Sequence, residues 1–139
     1  LENIDDETAR LLRDKGWRLT GAHGKSFDTR AYQEHVYASR GEFTVAKDLV
    51  ARTRSGWFSD RSVCYLAAGK PVVTQETGFS RFLPTGRGLF AFDTQAEAAA
   101  ALDEIDRDYA GHCRAAHDLA AEYFDSNRVL ADLCREAGL

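Results

Sequence analysis

Three arginines surround the start of one predicted helix and are well suited to bind an anion. Arg52 and Arg54 precede a loop that contains glycine, and Arg61 lies in the first turn of a helix expected to begin at Ser59 or Asp60. The first N–H groups of a helix have no intrahelical partner, and the helix dipole favours negative charge there. Guanidinium groups bind phosphate oxygens in a bidentate manner. The pattern therefore predicts a diphosphate site.

Further polar residues extend this candidate site. Lys47 follows a predicted strand and can point at the same pocket. Thr77 and Gly78 can form a nest of backbone N–H groups near a phosphate or sugar, or an ordinary turn between a strand and a helix. No catalytic residue is assigned. The candidate binding residues are Arg61, Arg54, Arg52, Ser59, Lys47, Thr77, Gly78 and Glu76.

Each arginine also has a purely structural interpretation. Arg61 can be a surface residue that pairs with Asp60 or Glu76, and Arg52 and Arg54 can belong to a solvated loop. These alternatives compete with phosphate binding, because surface ion pairs between such residue types are common and contribute little.

The aromatic residues beside the helix start favour packing over binding. Trp57 and Phe58 are adjacent, and we expect them to pack over the edge of the sheet; stacking on a base or sugar is the second interpretation. Cys64 is expected to be a small core residue. His23 ends a predicted strand and can face the pocket.

The cysteines and histidines do not have the spacing of a metal site. The three cysteines, Cys64, Cys113 and Cys134, form no CxxC pair, so neither a disulfide scaffold nor structural zinc is expected. A reducing, cytoplasmic setting fits them best. His112 and His117 are five positions apart, which does not place both on one helix face, and we expect both at the surface.

Helices and strands alternate along the chain. The first predicted helix is capped by Asn3 or Asp5 and ends at Gly16, and a capping box of Thr94 and Glu97 starts a later one. Other helices are expected over 28–39, 59–68, 109–123 and 126–136. Strands are expected over 17–22, 42–46, 71–74 and 89–92, and turns at 24–28 and 76–78. The pattern assigns no structure to the segment 47–56. In helix 59–68 the core face should comprise Val63, Leu66 and Ala67.

This alternation predicts an α/β fold, a Rossmann-like parallel sheet flanked by helices. We expect one domain over 1–139, in which 109–139 form a C-terminal helical pair. Only about four strands are recognisable, so further strands are expected upstream of Leu1. The net charge of −4 argues against a general nucleic-acid binder. No apolar run approaches the ~20 residues that span a bilayer.

One stretch of the chain resembles a known family. The unit SVCYLAAGKPVV, followed by QETG and later LPTGRGLFAF, is similar to the C-terminal domain of retaining GT-B glycosyltransferases, which binds the nucleotide sugar. The resemblance covers about residues 40–92 well and the rest through helix order. It implies a GT-B C-terminal half, incomplete at its N-terminus, that holds a donor diphosphate without a metal or other cofactor. It also implies an upstream acceptor domain, without which this chain is expected to be inactive.

The chain departs from that family at two important positions. Many members carry two glutamates around this helix, one for the donor sugar and one for the ribose hydroxyls, whereas Gly56 and Cys64 stand there in this chain. If an acid reads those hydroxyls here, Asp60 or Glu76 is the candidate. A related branch carries Ser-x-Arg at the helix start, and Ser59-Asp60-Arg61 matches it.

Glycosyl transfer from a nucleotide sugar is therefore the expected function of the intact protein. The alternative is a degenerate glycosyltransferase-like module that binds a nucleotide or partner and catalyses nothing, which the two missing glutamates favour. A third possibility is an unrelated phosphate-binding α/β enzyme such as a fragment of a sugar-nucleotide epimerase. The absence of a GxGxxG motif after a strand argues against that.

Overall fold

The computed structural model describes residues 4–21 and 28–138. The chain divides into two compact units, Leu1–Ala38 and Ser39–Leu139. The predicted turn at 24–28 lies outside the described residues except for Asp28, and His23 and Asn3 also lie outside them.

The first unit contains helices α1 (Asp6–Asp14) and α2 (Thr29–Ala38). Asp5 caps α1, because its side chain accepts a hydrogen bond of 2.8 Å from the amide of Thr8. Gly16, with φ of +85°, ends the helical turn as predicted. Helix α2 confirms the helix expected over 28–39, with Val36 buried.

The strand expected over 17–22 was wrong within its described part. Residues 17–21 adopt no regular structure, and the side chain of Trp17 is largely exposed. The amide of Trp17 donates to the carbonyl of Leu12, 2.9 Å away, and so closes the C-terminal turn of α1. Because the amide of Trp17 is bonded within the end of α1, it is not available to pair with a neighbouring strand. The alternating apolar and polar residues after Gly16 therefore form no strand within 17–21.

The second unit is an α/β unit built on three parallel strands. They are β1 (Glu42–Thr44), β2 (Val72–Gln75) and β3 (Leu89–Phe92), in the order β1-β2-β3. Phe43 lies opposite Val73, and Val73 lies opposite Phe90. The other elements are α3 (Asp48–Thr53), α4 (Asp60–Ala67), a short 3-10 helix (Phe79–Arg81), α5 (Gln95–Arg107), α6 (Tyr109–Tyr123) and α7 (Ser126–Glu136).

Helices cover both faces of this sheet. On one face, Val73, Phe90 and Phe92 pack against Ala98, Ala101 and Ile105 of α5 in a buried cluster. On the other face, α4 packs between β2 and α6. The α/β class with a parallel sheet is thus confirmed in its coarse form. Of the four strands expected, the described residues contain three, and β1 ends two residues earlier than predicted.

The buried face of α4 differs from the prediction. Ser62, Tyr65 and Leu66 are buried, whereas Ala67 and Cys64 are exposed. A buried serine is not recognised by apolar periodicity, and small side chains allow close packing of helices. The predicted face of Val63, Leu66 and Ala67 was therefore rotated by about one position.

His112 was also placed wrongly at the surface. It is buried in α6, and its Nδ1 accepts a hydrogen bond of 3.2 Å from the amide of Gly88. Its ring also lies 5.2 Å from that of Phe90. His112 thus satisfies the last amide before β3, a role that depends on the approach of two distant segments. His117 is exposed, as predicted.

Candidate functional site

The candidate residues lie mainly at the edge of the sheet where the parallel strands end. Helix α4 leads directly into β2, so it runs back along the sheet and its first turn lies near the carboxyl end of β2. Two hydrogen bonds join the loop before α4 to the loop after β2. The amide of Gly56 donates to the carbonyl of Thr77 at 2.8 Å, and the hydroxyl of Thr77 donates to the carbonyl of Trp57. We call this surface the carboxyl-edge site, formed by Arg54, Ser59, Arg61, Glu76, Gly78 and Asp93.

Arg54 connects the ends of β2 and β3. Its Nη2 donates to both carboxylate oxygens of Asp93, at 2.8 and 2.9 Å, and its Nη1 donates to the carbonyl of Glu76 at 3.3 Å. The hydrogen bond with Asp93 raises the pKa of Arg54 above its ordinary value, so the guanidinium stays charged. Arg54 also has a left-handed backbone, with φ of +49°, at the end of α3. The solvated-loop alternative does not describe this anchored side chain.

Arg61 bonds to two side chains of β1, Glu42 and Thr44. Its Nε donates to Oε1 of Glu42 at 2.5 Å, and its Nη2 donates to the hydroxyl of Thr44 at 2.9 Å. The Glu42 side chain is only 5% exposed, whereas that of Arg61 is 50% exposed. Asp60 accepts a hydrogen bond of 2.8 Å from the amide of Arg61. The guanidinium is therefore held by the strand edge and still reaches the surface.

The loop after β2 is a turn whose polar groups bond to one another. Thr77 is buried, and Gly78 adopts φ of +95° before the 3-10 helix. The amide of Gly78 donates to Oε1 of Glu76. A nest for an anion would need that amide directed outward, so the turn interpretation describes this loop better than the nest interpretation. A Cβ at Gly78 would lie 2.7 Å from the carbonyl oxygen of Arg54, which requires glycine there.

Two candidates outside the carboxyl-edge site, Arg52 and Lys47, and one within it, Ser59, have no hydrogen bond described above to its other members. Arg52 forms an exposed ion pair of 3.3 Å with Asp48, one turn earlier in α3. Lys47 is exposed at the start of the same helix. Ser59 is buried at the N-cap of α4, and its side chain accepts no capping hydrogen bond. Arg52 is thus solvated, as its structural alternative proposed, but it lies in a helix and not in a loop.

The adjacent aromatic residues divide between two environments. Phe58 packs against Phe79 and Phe124, with ring centroids 5.1 and 5.8 Å away, in agreement with the predicted packing role. Trp57 is half-exposed and does not share that burial. The prediction of core packing therefore holds for Phe58 alone.

Sequence reasoning missed Glu42, Thr44 and Asp93. Asp93 directly follows β3, and polar residues at the carboxyl ends of parallel strands gather at one edge, so its position was a usable signal. Glu42 and Thr44 alternate with Phe43 along β1, which places both on one face. Nothing in the local sequence connects that face with Arg61.

A search of the described residues, 4–21 and 28–138, finds no group of three or more His, Cys, Asp or Glu side chains that could hold a metal ion. Within the same residues, no helix is long and apolar enough to cross a membrane.

We expect metal chelators to leave the thermal stability of this chain unchanged. A structural metal contributes its binding energy to folding, so its removal lowers the melting temperature. The measurement is a thermal melt with and without EDTA, with a zinc-finger domain as the positive control. A lower melting temperature for this chain in EDTA would contradict the prediction.

Comparison of this chain with protein-family models, with curated proteins and with solved structures finds no match.

Proposed function

We propose that this chain is the donor-binding part of a GT-B-type retaining glycosyltransferase and holds the diphosphate of a nucleotide sugar. The observation that carries the proposal is the placement of two arginines around the ends of parallel strands. Arg54 bonds to residues that follow β2 and β3, and Arg61, in the first turn of α4, bonds along β1 and reaches its last residue, Thr44. Ligands of open parallel sheets bind at this edge. The resemblance of residues 40–92 to such domains supports the same assignment.

The chemistry of this site would be electrostatic. When a glycosyl group leaves a nucleotide sugar, negative charge develops on the departing diphosphate. Arg61 and the first N–H groups of α4 would stabilise that charge, and Arg54 would contribute from the ends of β2 and β3. Both guanidinium groups already bond to carboxylates, Glu42 and Asp93, so the ligand would share these cations with them.

A second candidate function is a binding module without catalysis. Gly56 and Cys64 stand where many members of the family carry glutamates, and each arginine of the site already has an acidic partner. The intact protein distinguishes the two candidates when it is incubated with a panel of nucleotide sugars. Release of nucleoside diphosphate, with transfer or hydrolysis of the sugar, supports the enzyme, and binding without release supports the module.

We expect nucleoside diphosphates to bind more tightly than the matching monophosphates. Each additional charged hydrogen bond to a phosphate contributes roughly 1.5–3 kcal/mol when it is desolvated, and about 1.4 kcal/mol corresponds to a factor of ten in affinity. The expected preference is therefore about tenfold. Isothermal titration calorimetry with UDP and UMP, and with the adenine and guanine pairs, measures it. Equal affinities within every pair would argue against a diphosphate site.

A further inference from the structure

A cavity of about 450 Å³ lies between helix α6 and the loop that precedes β3. Pro84, Thr85 and Arg87 line it from the loop, and α6 lines it along one face, from Gly111 to Tyr123. The loop enters β3 at its amino end, whereas the carboxyl-edge site lies at the opposite end of the parallel strands. The cavity is therefore separate from the carboxyl-edge site, and its role does not depend on the proposed function.

Arg87 is held close to the first half of α6. The amide of the next residue, Gly88, donates to Nδ1 of His112 at 3.2 Å. A Cβ at Gly88 would lie 2.8 Å from the carbonyl carbon of Ala115, so the loop and the helix are in backbone contact at this point. Arg87 and Arg114 thus both border the cavity beside the same contact. Two cations on a fixed backbone lose little entropy when they bind a shared anion.

Four charged side chains line the cavity without bonding to one another. Within residues 4–21 and 28–138, the side chains of Arg87, Arg114 and Glu122 form no hydrogen bond or ion pair. Asp118 lies 3.9 Å from Nδ1 of His117 and forms no other ion pair there. Arg114 and Asp118 are four residues apart in α6, a spacing at which helical ion pairs commonly form. Both charges are therefore available to a ligand.

The charges along the cavity are balanced and separated in space. Arg87 and Arg114 contribute two cations near the first half of α6, and Asp118 and Glu122 contribute two anions one and two turns further along the helix. An α-helix rises by about 1.5 Å per residue, so the anions lie about 6–12 Å from Arg114 along its axis. The acids would repel a ligand that carries only negative charge, such as phosphate, and the arginines would repel one that carries only positive charge. A ligand with a carboxylate at one end and a cation at the other satisfies both ends.

We propose that this cavity binds a basic amino acid, either free or at the C-terminus of a peptide. The carboxylate bonds to the two arginines, whose planar guanidinium groups suit it. The four-carbon stem of a lysine crosses the apolar surface of Ala115 and Leu119, and its ammonium group reaches the two acids. The distance of one to two helical turns between the charged ends thus determines the class of ligand.

The test combines changes in the ligand with changes in the protein. The tripeptide Gly-Gly-Lys is titrated by calorimetry against the 139-residue chain, alongside its C-terminal amide, Gly-Gly-norleucine and free lysine. The variants are Arg114→Gln and the double variant Asp118→Asn, Glu122→Gln. The matched control is Arg128→Gln, an exposed arginine of α7 outside the cavity. All four positions are exposed, so we expect each variant to fold, and its melting temperature verifies this.

The wild type should bind Gly-Gly-Lys about fivefold more tightly than its amide and than the norleucine peptide, the effect of an exposed charged pair. Arg114→Gln should reduce the first preference, the double variant should reduce the second, and Arg128→Gln should keep both. Free lysine that binds as tightly as the tripeptide identifies a free amino acid as the ligand, and weaker binding identifies a peptide end; either result supports the proposal. Absence of binding to the wild type, absence of either preference, or preferences unchanged in the folded cavity variants would overturn it.

Discussion

Gly88→Ala should destabilise the second unit by about 3 kcal/mol or more, because the added methyl group has no space and the backbone conformation opposes it. A Cβ at Gly88 would lie 2.4 Å from the backbone nitrogen of Ala116 and 2.8 Å from the carbonyl carbon of Ala115 in α6. Gly88 also has φ of +76°. Backbone atoms of a packed helix cannot rotate away, so α6 would have to move from the sheet.

This movement would break interactions on both sides of the glycine. The carbonyl of Gly88 accepts from the amide of Val72 at 2.9 Å, and its amide donates to His112. The measurement is urea denaturation followed by circular dichroism. The matched control is Gly86→Ala, because Gly86 has φ of +95° but a Cβ there would meet no atom within 4 Å. It therefore carries the conformational cost, about 1 kcal/mol, without the collision. Equal losses in the two variants would refute the packing argument.

Arg61→Ala should cost both nucleotide affinity and folding stability. The loss of a charged hydrogen bond to the diphosphate predicts binding about tenfold weaker or more. Arg61 lies on the face away from the core residues that the sequence predicts for this helix, Val63, Leu66 and Ala67, and by that criterion alone folding should survive the change. The pairing with Glu42 changes that expectation: the variant leaves a carboxylate with 5% exposure without its arginine. Since Arg61 is itself half-exposed and water can enter, we expect about 1–3 kcal/mol of destabilisation.

Three further variants separate the two effects of Arg61. Adding Glu42→Gln to Arg61→Ala should recover part of the stability, because a neutral amide costs less to bury alone than a carboxylate, but it should not recover nucleotide binding. Arg61→Lys should recover binding only partly, since an ammonium group lacks the planar fork. Arg52→Ala is the control, because its pair with Asp48 is largely exposed. Unchanged affinity in a folded Arg61→Ala protein would remove Arg61 from the site.

The helix ends of this protein follow from local sequence. Asp5 caps α1, and the capping box of Thr94 and Glu97 starts α5, because a side chain that accepts from an amide three residues away needs no distant partner. The bounds of α6 and α7 agree with the prediction for the same reason. The short apolar run that forms β3 was also recognisable, since its buried residues lie between turn-forming segments.

The candidate site was only partly predictable. Its predicted location followed from the rule that ligands bind at the carboxyl ends of parallel strands. Arg54 bonds there, and Arg61 reaches that end of β1 through Thr44. Their partners were not predictable: Glu42 precedes Arg61 by 19 positions, and Asp93 follows Arg54 by 39. An arginine pairs with whichever carboxylate the fold brings near it. Because the sequence contains 22 Asp and Glu residues, it does not indicate which of them that is.

The sequence by itself therefore determined where most of the described helices begin and end and the alternation that makes an α/β unit, whereas helix α3 lies in the segment 47–56 that it left open. Only the tertiary structure decided which carboxylates hold Arg54 and Arg61, that His112 is buried against Gly88, and that residues 17–21 form no strand. The physical reason is the sequence separation between the interacting residues. Caps and turns are set by hydrogen bonds across three or four residues, whereas ion pairs, close helix contacts and strand pairing depend on neighbours that chain folding alone supplies.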